Sequence, residues 1–261
     1  MRDFWRALPV QLRVWQALFL REMQTRWGRR NLGFAWLFAE PLVFALPVLT
    51  LWYTMRPAYD NGIPMMPFLW TGYLPLLVFR HVTGHSLHVV GHNTALLYHR
   101  HITPMDIFVG RCVLEAFGNL AAAAFSFAVF HLVGILDWPY DLSLTVAGFL
   151  FTAWWSVVVA LIVASLSERS EIVAHIWIPI SYVYMILSGF PFMAAWLPTG
   201  LRDFALTVDP PLLCYEIVRG GMFGNLITTY QYPGYLTYIL LVLTLIGLWL
   251  MRNIRQYLVI Q

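Results

Sequence analysis

Residues 143–166 read SLTVAGFLFTAWWSVVVALIVASL, without one charged side chain. A helix rises about 1.5 Å per residue, so this stretch is long enough to cross a hydrocarbon layer about 30 Å thick. It is read as a membrane span. Working outward, five more stretches have the same character, at about 32–54, 65–87, 107–136, 173–194 and 234–251. The third is long enough to project beyond the bilayer. Together they predict an all-α polytopic membrane protein with six transmembrane helices. Between the fifth and sixth lies 195–233, containing WLPTGLRDFALTVDPPLLCYEIVRGGMFGN. Proline, glycine and charge break it too often for a span, so short re-entrant or interfacial helices are expected there. Composition agrees. The 261 residues are 60% hydrophobic and 11% charged, with a mean hydropathy of +0.67. Ordinary soluble domains carry about 25% charged residues. An apolar surplus of this size cannot be hidden in one globular core.

Ahead of the first span, Leu8, Leu12, Trp15, Leu18, Phe19, Met23 and Trp27 recur at three- and four-residue steps. Arg6, Arg13, Arg21, Arg26, Arg29 and Arg30 fill much of the rest. This pattern predicts an amphipathic helix over 1–31, lying in the membrane interface with its charges toward anionic headgroups. It has neither a clean apolar core nor a small-residue cleavage site, so a cleaved signal is not expected. Arginine also orients the chain. With the N-terminus in the cytoplasm, the basic N-terminal segment, Arg80, Arg100, Arg111, Arg169, Arg252 and Arg255 fall inside. Only Arg56, Arg202 and Arg219 fall outside. Both termini are then cytoplasmic.

All 16 basic residues are arginine. Without lysine there is no phosphate-loop lysine for ATP and no Schiff-base chemistry. Energy from ATP has to come through a partner chain. Cys112 and Cys214 lie far apart and read as free buried thiols rather than a disulfide or a zinc site.

Residues 80–106, RHVTGHSLHVVGHNTALLYHRHITPMD, hold six of the eight histidines. His81, His85, His88 and His92 are spaced to share one stripe of a helix running down the second span. Imidazoles four apart on a helix can bind a transition metal. A histidine-ligated membrane metalloenzyme needs further clusters, however, and outside this stretch only His131 and His175 remain. No metal site is expected. After His92, Asn93 to His101 can form a short helix that Pro104 ends, and Asp106 can cap the next one. Leu96 and Leu97 are apolar yet placed outside the bilayer beside Arg100, which suggests a docking surface. Glu40 falls inside the first span, where a carboxylate is costly. Arg111 and Glu115 are four apart and can pair on one helix face.

Three segments carry a family resemblance. NTALLYHRHITPMDIFVGR (93–111) resembles the coupling helix and the start of span three in ABC-2 type permeases. RWGRRNLGFAWLFAEPLVF (26–44) is similar to that family's lead into span one, and LPTGLRDFALTVDPPLLCYEIVRGGMF (197–223) to its extracytoplasmic segment. In the last, Asp209-Pro210 stands where Asn-Pro is commoner. Within the family the likeness is to the polysaccharide-export branch, capsular exporters above all.

The resemblance implies a permease subunit of the bacterial inner membrane, with no catalytic site and no cofactor in this chain. A second copy completes the pore, and two cytoplasmic ATP-binding subunits supply ATP and Mg. The cargo is lipid-linked polysaccharide, in first place capsular. O-antigen, teichoic acid and other lipid-linked substrates are the alternatives. A periplasmic polysaccharide co-polymerase and outer-membrane export proteins are implied as further partners, and nucleic acid is not. A coupling helix at about 93–103 assigns Asn93, Leu96, Leu97, Tyr98 and Arg100 to the ATPase contact. Arg26, Trp27, Arg29 and Arg30 form the basic turn. Trp36, Phe44, Trp52, Tyr53, Trp70 and Tyr73 become candidates for stacking on sugar rings along the path, and His85 and His88 for contact with anionic groups near its mouth.

Overall fold

A computed structural model describes residues 2–27, 32–55, 59–60, 62–98, 102–254 and 256. Helix α1 (Arg2–Trp27) precedes α2 (Leu32–Met55). A two-residue antiparallel hairpin, Tyr59–Asp60 with Ile63–Pro64, leads into α3 (Met65–Gly84). The 3-10 segment Gly91–Tyr98 connects to α4 (Pro104–Leu132), followed by α5 (Leu142–Ser167) and α6 (Glu171–Leu187). Two short helices, α7 (Thr199–Val208) and α8 (Pro210–Phe223), lie between 3-10 turns at Ala194–Trp196 and Gly224–Leu226. Helix α9 (Pro233–Arg252) closes the order.

Helices occupy all six stretches read as spans, and the architecture is all-α apart from the hairpin. Among the described residues α4, α5 and α9 are long and apolar enough to cross a membrane. Ala39–Met55 within α2, and α6, are apolar but shorter. Several ends differ from the hydropathy boundaries because caps set them. Thr103 is the N-cap of α4, Pro104 its first residue, and the Asp106 carboxylate accepts from the Thr103 backbone N–H at 2.8 Å in a capping box. Asp141 caps α5 by accepting from Leu144 N–H at 3.1 Å.

Helix α5 is the hub, packing against α3, α6, α8 and α9. Its approach to α8 is backbone to backbone. A Cβ on Gly148 would lie 2.6 Å from Val218 N, and one on Gly221 would lie 2.4 Å from Thr145 N. Small residues allow such proximity where apolar surface alone gives no drive for helix association. The hydroxyls of Thr145, Thr152, Ser156 and Ser165 donate to carbonyls one turn back, so this buried helix carries them without orphan donors. Every residue of α8 is buried. The segment read as broken and extracytoplasmic therefore contains a helix enclosed by protein, where irregular backbone around it can be satisfied.

Candidate functional site

Polar side chains gather where α1, the end of α3, the Gly91–Tyr98 segment, the start of α4 and the α5–α6 connection meet. Asp106, already engaged in its capping box, also accepts from Trp15 Nε1 at 2.8 Å and from the Gln11 side-chain amide. This fastens α1 to the first turn of α4. One turn further along, Arg111 Nη1 donates to Glu22 Oε2 at 2.8 Å, and its Nε lies 3.4 Å from Glu115 Oε1. His85 Nδ1 reaches the same Glu115 oxygen at 3.3 Å. Glu22 and Glu115 are buried. A chain of polar contacts, Glu22–Arg111–Glu115–His85, thus runs from α1 through α4 to the end of α3. Such ionic contacts hold buried carboxylates that would otherwise be costly. The pairing of Arg111 with Glu115 appears as the four-residue spacing suggested, and Glu22 completes it.

The Gly91–Tyr98 segment is gripped from a second direction. Glu168, buried at the end of α5, accepts from the backbone N–H groups of Val90 and Gly91 at 2.8 and 2.9 Å, both on Oε1. Ser167 Oγ accepts from His88 N–H at 3.2 Å. Arg21 Nη1 donates to Asn93 Oδ1 at 3.2 Å, and Asn93 Nδ2 donates back to Val89 O. Leu96 and Leu97 are half-buried against the core beneath, whereas Tyr98 is 91% exposed. The most prominent side chain of this segment is therefore the tyrosine, and the two leucines act largely as its footing. Arg29, Arg30 and Arg100 lie outside the described residues. Arg26 and Trp27 lie on α1 and Phe44 on α2, with side chains outside the described set.

The single histidine stripe is corrected. Helix α3 ends at Gly84, with Thr83 Oγ1 donating to Phe79 O and Ser86 Oγ to Thr83 O. These local hydroxyl bonds compete with helix continuation. His88 then takes a φ of +50°, which turns the chain. The histidines fall into two pairs, His81 with His85 and His88 with His92, with ring centroids 5.8 and 5.9 Å apart. Among the described residues no three His, Cys, Asp or Glu side chains converge to hold a metal ion.

The candidate aromatics divide. Trp70 is buried, donates to Ser126 Oγ at 3.0 Å and packs against Phe127 and Phe149. It is core and lines no surface of the chain, which removes it from the path. Trp52 and Tyr73 are half-buried around Phe190, with centroids 5.9 and 5.8 Å from it. Trp36 and Tyr53 are exposed on α2, where Glu40 is half-buried.

A second polar cluster sits in α8. Arg219 is wholly buried and donates to Phe192 O at 2.6 Å and Phe190 O at 2.9 Å, with its guanidinium 4.6 Å over the Phe68 ring. Glu216 accepts from Ala194 N–H at 3.1 Å and Tyr230 N–H at 2.9 Å. The pair holds the chain before α7 and after α8. Sequence reasoning passed over Glu22, Glu168, Glu216 and Arg219 as sites. Their one visible signal was charge inside or beside otherwise apolar stretches.

A family model described as ABC-2 type transporter matches residues 13–223. The chain is 34% identical over 246 residues to the capsule polysaccharide export inner-membrane protein CtrC of Neisseria meningitidis, covering 94% of this chain and 92% of that protein. It is 32% identical over 253 residues to the capsule polysaccharide export inner-membrane protein BexB of Haemophilus influenzae, covering 97% and 95%. The polysialic acid transport protein KpsM of Escherichia coli is 26% identical over 260 residues, covering 95% of each.

Proposed function

The chain belongs to the ABC-2 type transporter family, a multi-pass membrane transport subunit rather than an enzyme, and on that premise we propose that it is the permease of an ATP-driven exporter of capsular polysaccharide. The cargo is a lipid-linked polymer crossing the inner membrane. Two copies form the path, each with six spans given by α2, α3, α4, α5, α6 and α9, and both termini lie in the cytoplasm. ATP and Mg are bound by a separate cytoplasmic subunit, two per assembly. Periplasmic and outer-membrane export proteins take over the polymer beyond the membrane.

The observation that carries this reading is the double fastening of Gly91–Tyr98. Arg21 of α1 and Glu168 of the α5–α6 connection both hold it, while Tyr98 stands free of the chain. A push on Tyr98 from an ATPase would reach α1, α4 and α5 through bonds already made. The Glu22–Arg111–Glu115–His85 chain spreads it further. Such contiguous polar contacts between rigid helices are the physical means by which two sites are coupled. Deletion of the gene in its own host tests the function. Surface polysaccharide should be lost while lipid-linked polymer accumulates inside the cell; unchanged surface polysaccharide would refute the reading.

A further inference from the structure

At the Asp141 end of α5, away from the fastened segment, the chain forms an open pocket of about 440 Å³. Ligand pockets generally run from about 300 to 1,000 Å³, with mostly apolar and aromatic walls and a few placed polar groups. The lining includes the aromatic residues Trp138, Tyr140 and Phe223, with Asp137 and Asn225 among its polar residues. Trp138 and Tyr140 are 60% and 69% exposed. They are nevertheless held. Trp138 stands edge-on to Phe127 and His131, at 5.8 and 5.5 Å, and those two rings stack on each other. His131 Nδ1 is in turn 2.8 Å from Leu136 O. The Tyr140 ring rests on Gly224, where a Cβ would lie 2.3 Å from its Cγ and where φ is +54°. Asp141 N–H donates to Gly221 O at 2.8 Å, fixing the same connection to α8.

We propose that this pocket binds a neutral, hydroxyl-bearing sugar ring. A pyranose presents a flat face of C–H bonds to an aromatic ring and an edge of hydroxyls to polar groups. Asp137 accepts hydroxyl protons, and Asn225 both donates and accepts. Among the described residues lining the pocket there is no arginine, and Asp137 is the charged one. Asp137 would repel an anionic headgroup. Interfacial aromatic belts serve lipid headgroups along an outer surface; here the two rings border a concavity. That the bound sugar belongs to the exported polymer rests on the export reading, whereas the binding itself does not.

The test is saturation-transfer difference NMR on the full chain in phosphatidylcholine nanodiscs, with maltose and N,N′-diacetylchitobiose as probes. Saturation is expected on the ring C–H protons of at least one. Trp138→Ala should weaken apparent binding about tenfold or more. Trp138→Phe, which keeps an aromatic face, and Trp249→Ala, at an exposed tryptophan of α9, should retain it. No transfer to either sugar, or equal transfer with Trp138→Ala, overturns the site. So does loss of sugar binding when phosphatidylglycerol replaces the neutral lipid, which would assign the pocket to a headgroup. A chain that binds neither sugar but restores surface polysaccharide to the deletion strain overturns this site and leaves the export reading standing. Sugar binding without such restoration does the reverse.

Discussion

The two ends of α5 handle charge in different ways. At the Asp141 end, Glu216 and Arg219 are sealed inside α8 and bond to backbone atoms. At the Glu168 end, roughly 39 Å away at 1.5 Å per residue over a 26-residue helix, Glu22, Arg111, Glu115 and His85 bond mainly to one another across three helices. Backbone partners cannot be exchanged without refolding a loop. Side-chain partners on separate helices can be exchanged when the helices slide. The first arrangement builds a fixed cap, and the second builds a joint.

If that contrast is right, the cap should be costly to disturb and the joint cheap. Arg219→Met removes the donors to Phe190 O and Phe192 O and leaves Glu216 without its counter-charge. Two buried carbonyls left without their donor cost about 1–3 kcal/mol each, so the thermal midpoint in detergent should fall furthest for this variant. Asp209, in the link between α7 and α8, sharpens the point through pH. Burial pushes its carboxyl up to about 7 from an ordinary 3.8. Between those values the folded chain holds a proton that the unfolded chain has released. Stability should therefore fall as pH rises from 3.8 towards 7 and stay lower above it. Asp209→Asn should flatten that slope in a series of thermal melts.

In the joint, Glu22→Gln keeps an amide oxygen that can still accept from Arg111, so although Glu22 is buried it should cost less than Arg219→Met, about 1–3 kcal/mol. Export, measured as surface polysaccharide per folded copy, should fall by more than the amount of folded protein does. Equal falls would make the joint a mere structural clamp. The smallest stability effect belongs to Tyr98→Ala, within about 0.5 kcal/mol, because its side chain is exposed. Copurification of the ATP-binding subunit should nonetheless drop.

Hydropathy located α2 to α6 and α9 because the membrane reads average polarity over a span, and α1 was legible from its three- and four-residue apolar steps; both are local properties. The α4 start was legible for the same reason, since Thr103, Pro104 and Asp106 are neighbours in sequence. The histidine stripe was misread. Its spacing suits a helix, but Ser167 and Glu168, nearly eighty residues later, capture the amides of His88, Val90 and Gly91. No periodicity carries that information. Glu216 and Arg219 were read as marks of a broken segment. Their partners are backbone groups of two flanking connections, which become visible only once α8 is enclosed. Leu96 and Leu97 looked like docking residues because they are apolar outside a span. In the fold they rest against the core, and Tyr98 projects instead.

The assignment of the Glu168 end to the ATPase can be tested at a single residue. A photo-crosslinking benzoylphenylalanine at position 98, in cells that also make the ATP-binding subunit, should give an adduct of the two chains on irradiation. The same group at position 138 should give none. An adduct at 138 with none at 98 would contradict the account, as would the lack of any adduct at 98 in a strain that still exports.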